Sequence, residues 1–359
     1  MISKKIIIMA GGSGGHIFPG LTIARYLIKK GWSVNWIGTK NSIESEIIPK
    51  YDIRIHFIKI QGLRNANLKK IIFSPIYILR ACYQINQIIK NWSPNIILGM
   101  GGYVSGPGGI AAWQSNIPLI IHEQNKIAGI TNYWLSKIST QNIQAYVGAL
   151  KHAIVVGNPV CESIINTPKP IERFKNRIGF LRILVIGGSQ GASILNHILP
   201  EAFFLLKKQI VVWHQTGKNE LEQTKKKYKK LGLDHVLITS FIKNMADAYQ
   251  WADIIICRSG ALTVSEISIV GLAAIFIPYP HKDKQQHRNA EDLERVGAAK
   301  IIDQSNLNTI SIVNILNALT RKKLLIMAER AFSLGVRDAT KNIFNIINNI
   351  SKQYEYKKN

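Results

Sequence analysis

Cysteine is nearly absent from this chain of 359 residues. The three that occur, Cys82, Cys161 and Cys257, lie far apart with no Cys-x-x-Cys pair, which argues against a disulfide framework or a zinc site and fits a reducing cytoplasm. No apolar run reaches the roughly 18 residues of a membrane span, and the stretch after Lys4 and Lys5 is too short for a secretory signal. Asp-x-Asp, the usual clamp for a metal-bound diphosphate, does not occur, nor does any zinc-finger, RNA-recognition or basic-zipper pattern. Acidic residues are also few: 21 Asp and Glu against 46 Lys and Arg give a net charge of +25. That balance suits an anionic membrane, nucleic acid or phosphorylated substrates, and it equally suits compositional drift. The lysine-rich run 225–230 reads as a solvated helix end before Gly232.

What is present is a globular α/β composition, 47% hydrophobic with a mean hydropathy of +0.05. The length exceeds what one core usually organises, so two domains are expected. Short apolar runs at 6–9, 33–37, 53–58, 96–98, 119–122 and 153–155 alternate with helical patterns, and runs at 183–186, 210–214, 236–238, 254–257, 274–277 and 300–302 repeat the alternation. Such runs predict parallel sheets covered on both faces, hence two Rossmann-like doubly wound domains. The polar, proline-containing stretch 166–170 follows Gly157, Asn158 and Pro159, which puts the boundary near 158: domains 1–158 and 159–335, a final helix over about 336–359 packing back on the first, and a polar tail after Ser351.

Two glycine-rich turns stand out, each following a buried strand and opening a helix: Gly11, Gly12, Ser13, Gly14, Gly15 and His16, then Gly187, Gly188, Ser189, Gln190 and Gly191. Backbone N–H groups at such turns suit phosphate oxygens, and two turns suggest two phosphate-bearing ligands. Neither fits the dinucleotide fingerprint: the third glycine position of the first turn is Ile17, and the next strand ends in Gly38 and Thr39 without the acid that holds a ribose. Neither carries the Lys-Ser/Thr of a P-loop. His16 falls in the first helical turn, where the dipole favours a neutral imidazole, either as a proton acceptor or as a capping residue. Further along, strand 119–121 runs into His122, Glu123, Gln124 and Asn125, and the glycine-rich stretch 99–109 follows another strand end toward the same sheet edge. Ser259, Thr263 and Glu266, spaced by four and three, share one face of a helix in the second half. With the amides at 285–289 they read as a sugar-nucleotide site.

Taken in order and spacing, GGSGGH, HEQN, GNPV, GGSQGA, ICRSGALTVSE and HKDKQQHRNA resemble the MurG family of GT-B glycosyltransferases over nearly the whole chain. The resemblance implies two domains facing a central cleft and transfer of N-acetylglucosamine from UDP-N-acetylglucosamine to the muramyl 4-hydroxyl of an undecaprenyl-pyrophosphoryl-muramyl-pentapeptide. It implies inversion, no cofactor, no metal and peripheral attachment to the cytoplasmic face of the inner membrane. Donor contacts carry over onto Ser13, Gly14, Gly15, Asn125, Ser189, Ile242, Ala261, Leu262, Thr263, Val264, Ser265, Glu266 and Gln286, with Glu266 on the ribose hydroxyls. Gly11, Gly12, Tyr103 and His122 fall on the acceptor side, and the base is His16 or Glu123. Where the family carries Arg after GNPV this chain has Cys161, which removes a planar charged fork from the donor side, with Arg258 or Lys218 as replacements to consider.

An acceptor anchored in lipid requires a docking surface. The helix beginning at Ser74 has a core stripe of Ile78, Cys82, Ile85 and Ile89, while Phe73, Ile76, Tyr77 and Leu79 lie beside Lys69, Lys70 and Arg80. This is either a basic-rimmed apolar patch for anionic lipid or a helix buried on two sides. The rival readings, a nucleic-acid-binding protein and a nicotinamide-dependent oxidoreductase, meet the missing motifs and the failed glycine spacings described above.

Overall fold

A computed structural model of the chain describes residues 3–62, 74–206 and 210–358. It divides into two compact units, residues 1–161 with 337–359, and residues 162–336.

The first unit is built on seven parallel strands, β1 (Lys5–Met9), β2 (Ser33–Gly38), β3 (Arg54–Phe57), β4 (Ile96–Gly99), β5 (Leu119–Glu123), β6 (Gln141–Gln144) and β7 (Ile154–Val155), in the order β3-β2-β1-β4-β5-β6-β7. Alternation of side chains along β1 separates two cores. Ile6 and Ile8 pack with Leu21, Leu27 and Trp36 on one face, where Ile343 and Ile347 of the final helix join them. Ile7 and Met9 pack with Ile85, Ile89 and Ala111 on the other. The final helix runs from Ala339 to Lys358, so the polar tail continues as helix.

The second unit has six parallel strands, β8 (Leu181–Ile186), β9 (Ile210–Gln215), β10 (Leu237–Thr239), β11 (Ile254–Cys257), β12 (Ala273–Phe276) and β13 (Ala299–Ile301), ordered β10-β9-β8-β11-β12-β13. Ile183, Val185, Ile254 and Ile256 meet Leu195 and Leu199 in its core. Each expected strand is present within a residue or two, and β6 is an additional one. Its sequence, QNIQ, has a single apolar residue: Gln144 holds its place by accepting from the Leu150 N–H at 2.7 Å and donating to the Ala153 carbonyl.

Both sheets reverse their order at one place. In the first the chain moves outward from β1 to β3 and returns beside β1 as β4; in the second it moves out from β8 and returns as β11. Connections leave a crevice at the carboxyl ends of the strands there, where open α/β sheets bind ligands. The glycine turns follow β1 and β8, the two strands at the reversal points.

Candidate active site

In the first unit the turn after β1 is braced from below. Glu44, fully buried, accepts from the Thr39 N–H and hydroxyl at 3.2 and 3.0 Å, and its other oxygen lies 3.5 Å from the Gly12 N–H. A Cβ at Gly11 would stand 2.7 Å from this carboxylate, which explains glycine there. Ser13 is the extended N-cap of the helix Gly14–Lys29, and the N–H groups of Ser13, Gly14 and Gly15 have no acceptor among the described residues. The Gly12 N–H faces Glu44, so the N–H groups of the turn left without an acceptor are those at the helix start, Ser13, Gly14 and Gly15.

Beside it lies a chain of polar side chains. His16 Nδ1 is 2.9 Å from Gln124 Oε1, Gln124 Nε2 is 3.0 Å from His122 Nδ1, and His122 Nε2 is 2.9 Å from the Gly157 carbonyl. Burial pushes the His122 imidazole down to about 4, against the opposing pull of the Gly157 carbonyl and the Glu123 charge, so it is neutral near pH 7. The His16 ring lies against the backbone of Gly101 and Gly102: a Cβ on Gly101 would approach its Cε1 to 3.1 Å, and one on Gly102 would meet the Gly11 carbonyl at 2.6 Å. This accounts for the glycines after β4. Tyr103 stacks its ring over the Gly12 position, and its hydroxyl meets Thr39 Oγ1 at 3.1 Å.

Glu123 has a different use. Its carboxylate is 1% exposed and accepts four hydrogen bonds, from the backbone and side-chain amides of Asn125 at 2.9 and 3.1 Å, the Gly129 N–H at 3.1 Å and Asn132 Nδ2 at 2.9 Å. All four lone-pair directions are engaged. Glu123 anchors the loop that carries Gln124 and Asn125, whereas the Nε2 of His16 has no partner among the described residues.

In the second unit the turn after β8 and the loop after β11 border a cavity of about 610 Å³, lined among others by Gly188, Gln190, Ser193, Arg258, Thr263 and Gln286. The Gln215 amide fastens the turn: its oxygen accepts from the Gly187 N–H at 3.2 Å and its nitrogen donates to the Gly188 carbonyl at 3.0 Å. Gly188, Ser189 and Gln190 present N–H groups with no acceptor among the described residues, next to the free first turn of the helix Ser193–Leu205. Gly191, at φ +80°, has no room for a side chain, since a Cβ would overlap the Thr216 carbonyl. A second helix, Ala261–Val270, starts after Gly260 and adds another free N-terminus.

Arg258 is planted by four contacts: its guanidinium donates to the Ile277 and Pro278 carbonyls at 3.0 and 3.1 Å and to Gln304 Oε1 at 2.7 Å, and it lies 5.4 Å from the Tyr279 ring centre. Burial lowers its pKa from the ordinary value, with Tyr279 opposing. Glu220, also on the cavity wall, accepts from Ser193 Oγ and from Asn196 Nδ2. Burial works against its charge, yet these bonds win and hold the carboxyl below its usual range. Glu266 is half-buried, and burial raises its carboxyl to about 7 although the Tyr249 hydroxyl donates to it at 2.7 Å.

Of the residues carried over to the donor, Thr263 and Gln286 line the cavity, and Ser189 lies in the turn that borders it. Gln286 Oε1 accepts from the Tyr279 N–H at 2.9 Å. Ala261, Val264 and Ile242 bury their side chains, which leaves backbone groups for any contact; Leu262 and Ser265 are half-buried. Ser13, Gly14, Gly15 and Asn125 belong to the first unit with Gly11, Gly12, Tyr103 and His122, as does half-buried Cys161. Lys218 is exposed and does not line the cavity, whereas Arg258 does. Glu220 and Gln304 escaped sequence reasoning because they lie outside every glycine motif, and only strand pairing brings them to the wall.

The helix Ser74–Trp92 buries Ala81, Cys82, Ile85 and Ile89 and leaves Ile76, Tyr77, Leu79 and Tyr83 exposed, so it is buried on one side. Lys69, Lys70 and Phe73 lie outside the described residues. Neighbouring helices add exposed Trp113, Tyr133 and Trp134, with Lys137 Nζ 4.0 Å from the Trp134 ring centre. No helix among the described residues is long and apolar enough to cross a membrane.

Two doubly wound parallel units with glycine-rich turns at their reversal points, and a cavity beside the turn of the second, have the architecture of a GT-B glycosyltransferase. Residues 6–144 match the glycosyltransferase family 28 N-terminal domain and residues 182–343 the family 28 C-terminal domain, so the chain belongs to glycosyltransferase family 28. It is 76% identical over 353 residues to the protein of Buchnera aphidicola subsp. Acyrthosiphon pisum (strain Tuc7) named UDP-N-acetylglucosamine--N-acetylmuramyl-(pentapeptide) pyrophosphoryl-undecaprenol N-acetylglucosamine transferase, covering 98% of this chain and 100% of that one. The protein of the same name from Aliivibrio fischeri (strain MJ11) is 50% identical over 350 residues, covering 98% and 99%. The solved structure of MurG from Acinetobacter baumannii is 34% identical, covers 96% of this chain and 99% of its own, and has a TM-score of 0.84.

The anchoring geometry of Glu123 yields a test. Glu123→Gln turns an acceptor toward two amide donors, and the loss expected for unsatisfied buried polar groups is about 1–3 kcal/mol of stability, read by denaturant unfolding. The pH profile of turnover should keep its shape; a lost limb with stability intact would return the base role to Glu123.

Proposed function

We propose that the chain transfers N-acetylglucosamine from UDP-N-acetylglucosamine to the muramyl 4-hydroxyl of undecaprenyl-pyrophosphoryl-N-acetylmuramyl-pentapeptide, with inversion and without a metal. The observation that carries this reading is identity over essentially the full length of both chains with enzymes named for that reaction. The site's chemistry supports it. The free N–H groups of Gly188, Ser189 and Gln190 and the adjacent helix start suit the donor diphosphate, whose charge grows as the bond to the sugar breaks. Oriented dipoles and the Arg258 charge there take the part that a metal plays elsewhere. Glu266 accepts from the ribose hydroxyls, and Thr263 and Gln286 offer polar groups to the diphosphate and sugar. In the first unit the N–H groups of Ser13, Gly14 and Gly15 suit a substrate phosphate, and His16 takes the proton of the muramyl hydroxyl. The new bond forms from that oxygen to the anomeric carbon as the bond to the UDP oxygen breaks, and UDP leaves as the anion.

The exposed apolar side chains of Ile76, Tyr77, Leu79, Trp113 and Trp134, with Arg80 and Lys137, fit a peripheral membrane site at the cytoplasmic face, where anionic headgroups attract the basic rim. The same chemistry gives the excess of positive charge a use without nucleic acid.

An assay with lipid-linked acceptor and UDP-N-acetylglucosamine tests the reading. Transfer should persist in EDTA, and His16→Ala should lower turnover by about 10²–10⁴ with little change in donor affinity. Absence of transfer by the wild type, or wild-type turnover in His16→Ala, would overturn the assignment. Donor binding should also depend on pH. A ribose diol needs the carboxylate form of Glu266, so affinity is full above about 7 and falls by up to about tenfold per unit as pH drops below it. Calorimetry of UDP binding across this range should find Glu266→Gln weaker at high pH and flat. Leu79→Glu should reduce co-sedimentation with anionic vesicles while leaving transfer to a detergent-solubilised acceptor intact; unchanged sedimentation would remove this helix from the membrane surface.

A further inference from the structure

We infer that Gln124 is a positioning residue: its amide, held between the buried His122 and His16, fixes His16 in the tautomer that carries its proton on Nδ1 and leaves the Nε2 lone pair free to accept one. This rests on the reading of His16 as the base.

The direction of the chain follows from two backbone carbonyls, which only accept. The Gly157 carbonyl lies 2.9 Å from His122 Nε2, so that nitrogen carries the hydrogen. A neutral ring then has its lone pair on Nδ1. Gln124 Nε2 stands 3.0 Å from that Nδ1 and 3.1 Å from the His122 carbonyl, two acceptors that only an amide NH₂ serves. The Gln124 oxygen is thereby turned toward His16 Nδ1 at 2.9 Å, and that nitrogen must donate. His16 Nε2 has no hydrogen-bond partner among the described residues.

The parts are held firmly. Gln124 is 1% exposed, and its backbone carbonyl accepts from Asn158 Nδ2 at 3.0 Å, which ties the turn at Gly157 and Asn158 to the loop after β5. Asn132 Nδ2 donates to the His122 carbonyl at 3.0 Å, and the backbone of Gly101 and Gly102 closes the other side of the His16 ring. The charged and titratable groups whose fields reach His122 are Glu123, on the opposite face of the strand, and His16. The GNP turn thus gains a role: it supplies the fixed acceptor from which the orientation of the other groups follows. When His16 takes a proton at Nε2, its Nδ1–H remains bonded to a neutral amide, which steadies the imidazolium without pairing it to a permanent charge.

Nitrogen-15 spectra of the histidine rings of the intact protein, recorded above neutral pH, read the tautomers directly. His16 should carry hydrogen on Nδ1 alone and His122 on Nε2 alone; hydrogen on His16 Nε2 in the wild type overturns the inference whether or not any variant folds. In Gln124→Leu, kcat should drop roughly 10- to 100-fold with KM for both substrates within about twofold, because the base is misoriented while binding is untouched. Gln124→Glu keeps an acceptor for Nδ1–H but turns a second oxygen onto the His122 carbonyl and Nδ1, so kcat should stay below that of the wild type. If His16→Ala is inactive and Gln124→Leu turns over like the wild type, the positioning role fails alone. If His16→Ala retains wild-type turnover, the base reading fails with it.

Discussion

A parallel sheet covered on both faces must send each crossover off from the same edge, so the helix starts collect there with their N–H groups unpaired. Both glycine-rich turns depend on that constraint. The turns after β1 and β8 leave the strands at which sheet order reverses, and the flanking helices diverge there. Glycine is required because backbone, not side chain, lines these places. Gly191 abuts the Thr216 carbonyl, and Gly101 and Gly102 form the surface on which the His16 ring rests.

Acidic residues are few, and several are committed inward. Glu44 braces the first turn, Glu123 anchors the loop after β5, Glu220 holds the start of the helix Ser193–Leu205, and Asp253 is enclosed by Arg177 and Arg321 at 2.9 and 3.3 Å. Glu44, Glu123 and Asp253 are buried and meet their donors where water does not compete, unlike surface ion pairs. The remaining lysines and arginines leave an outer surface of strong positive charge. Arg258 differs from them: bonded to two carbonyls and Gln304, it is a fixed point charge on the cavity wall.

Much of the fold was legible from short apolar runs bounded by glycine, because a strand buried on both faces has little freedom in composition. β6 escaped because its polar side chains are satisfied by backbone groups and by Ser139, which leaves no periodic signal. The glycine turns stand in the sequence as written, but the expected face from Ser259 to Glu266 is only partly there: the helix begins at Ala261, so Ser259 precedes it and is buried, and Thr263 and Glu266 alone lie on it. The site was illegible where a side chain acts on another side chain. His122 and Glu123 are adjacent in the chain, yet one joins the His16 network and the other anchors a loop, because successive residues of β5 point to opposite faces.

The sequence by itself determined the two-domain α/β plan, the positions of both glycine-rich turns and the family, since these follow from local apolar patterning and from motifs contiguous in the chain. Tertiary structure alone decided which carboxylate was buried and engaged, which lysine or arginine reached the cavity, and which nitrogen of His16 was left free. Those outcomes depend on hydrogen bonds among residues as distant in sequence as His16, Gln124 and Gly157, and the partners of a donor or acceptor exist only once the strands that carry them have paired.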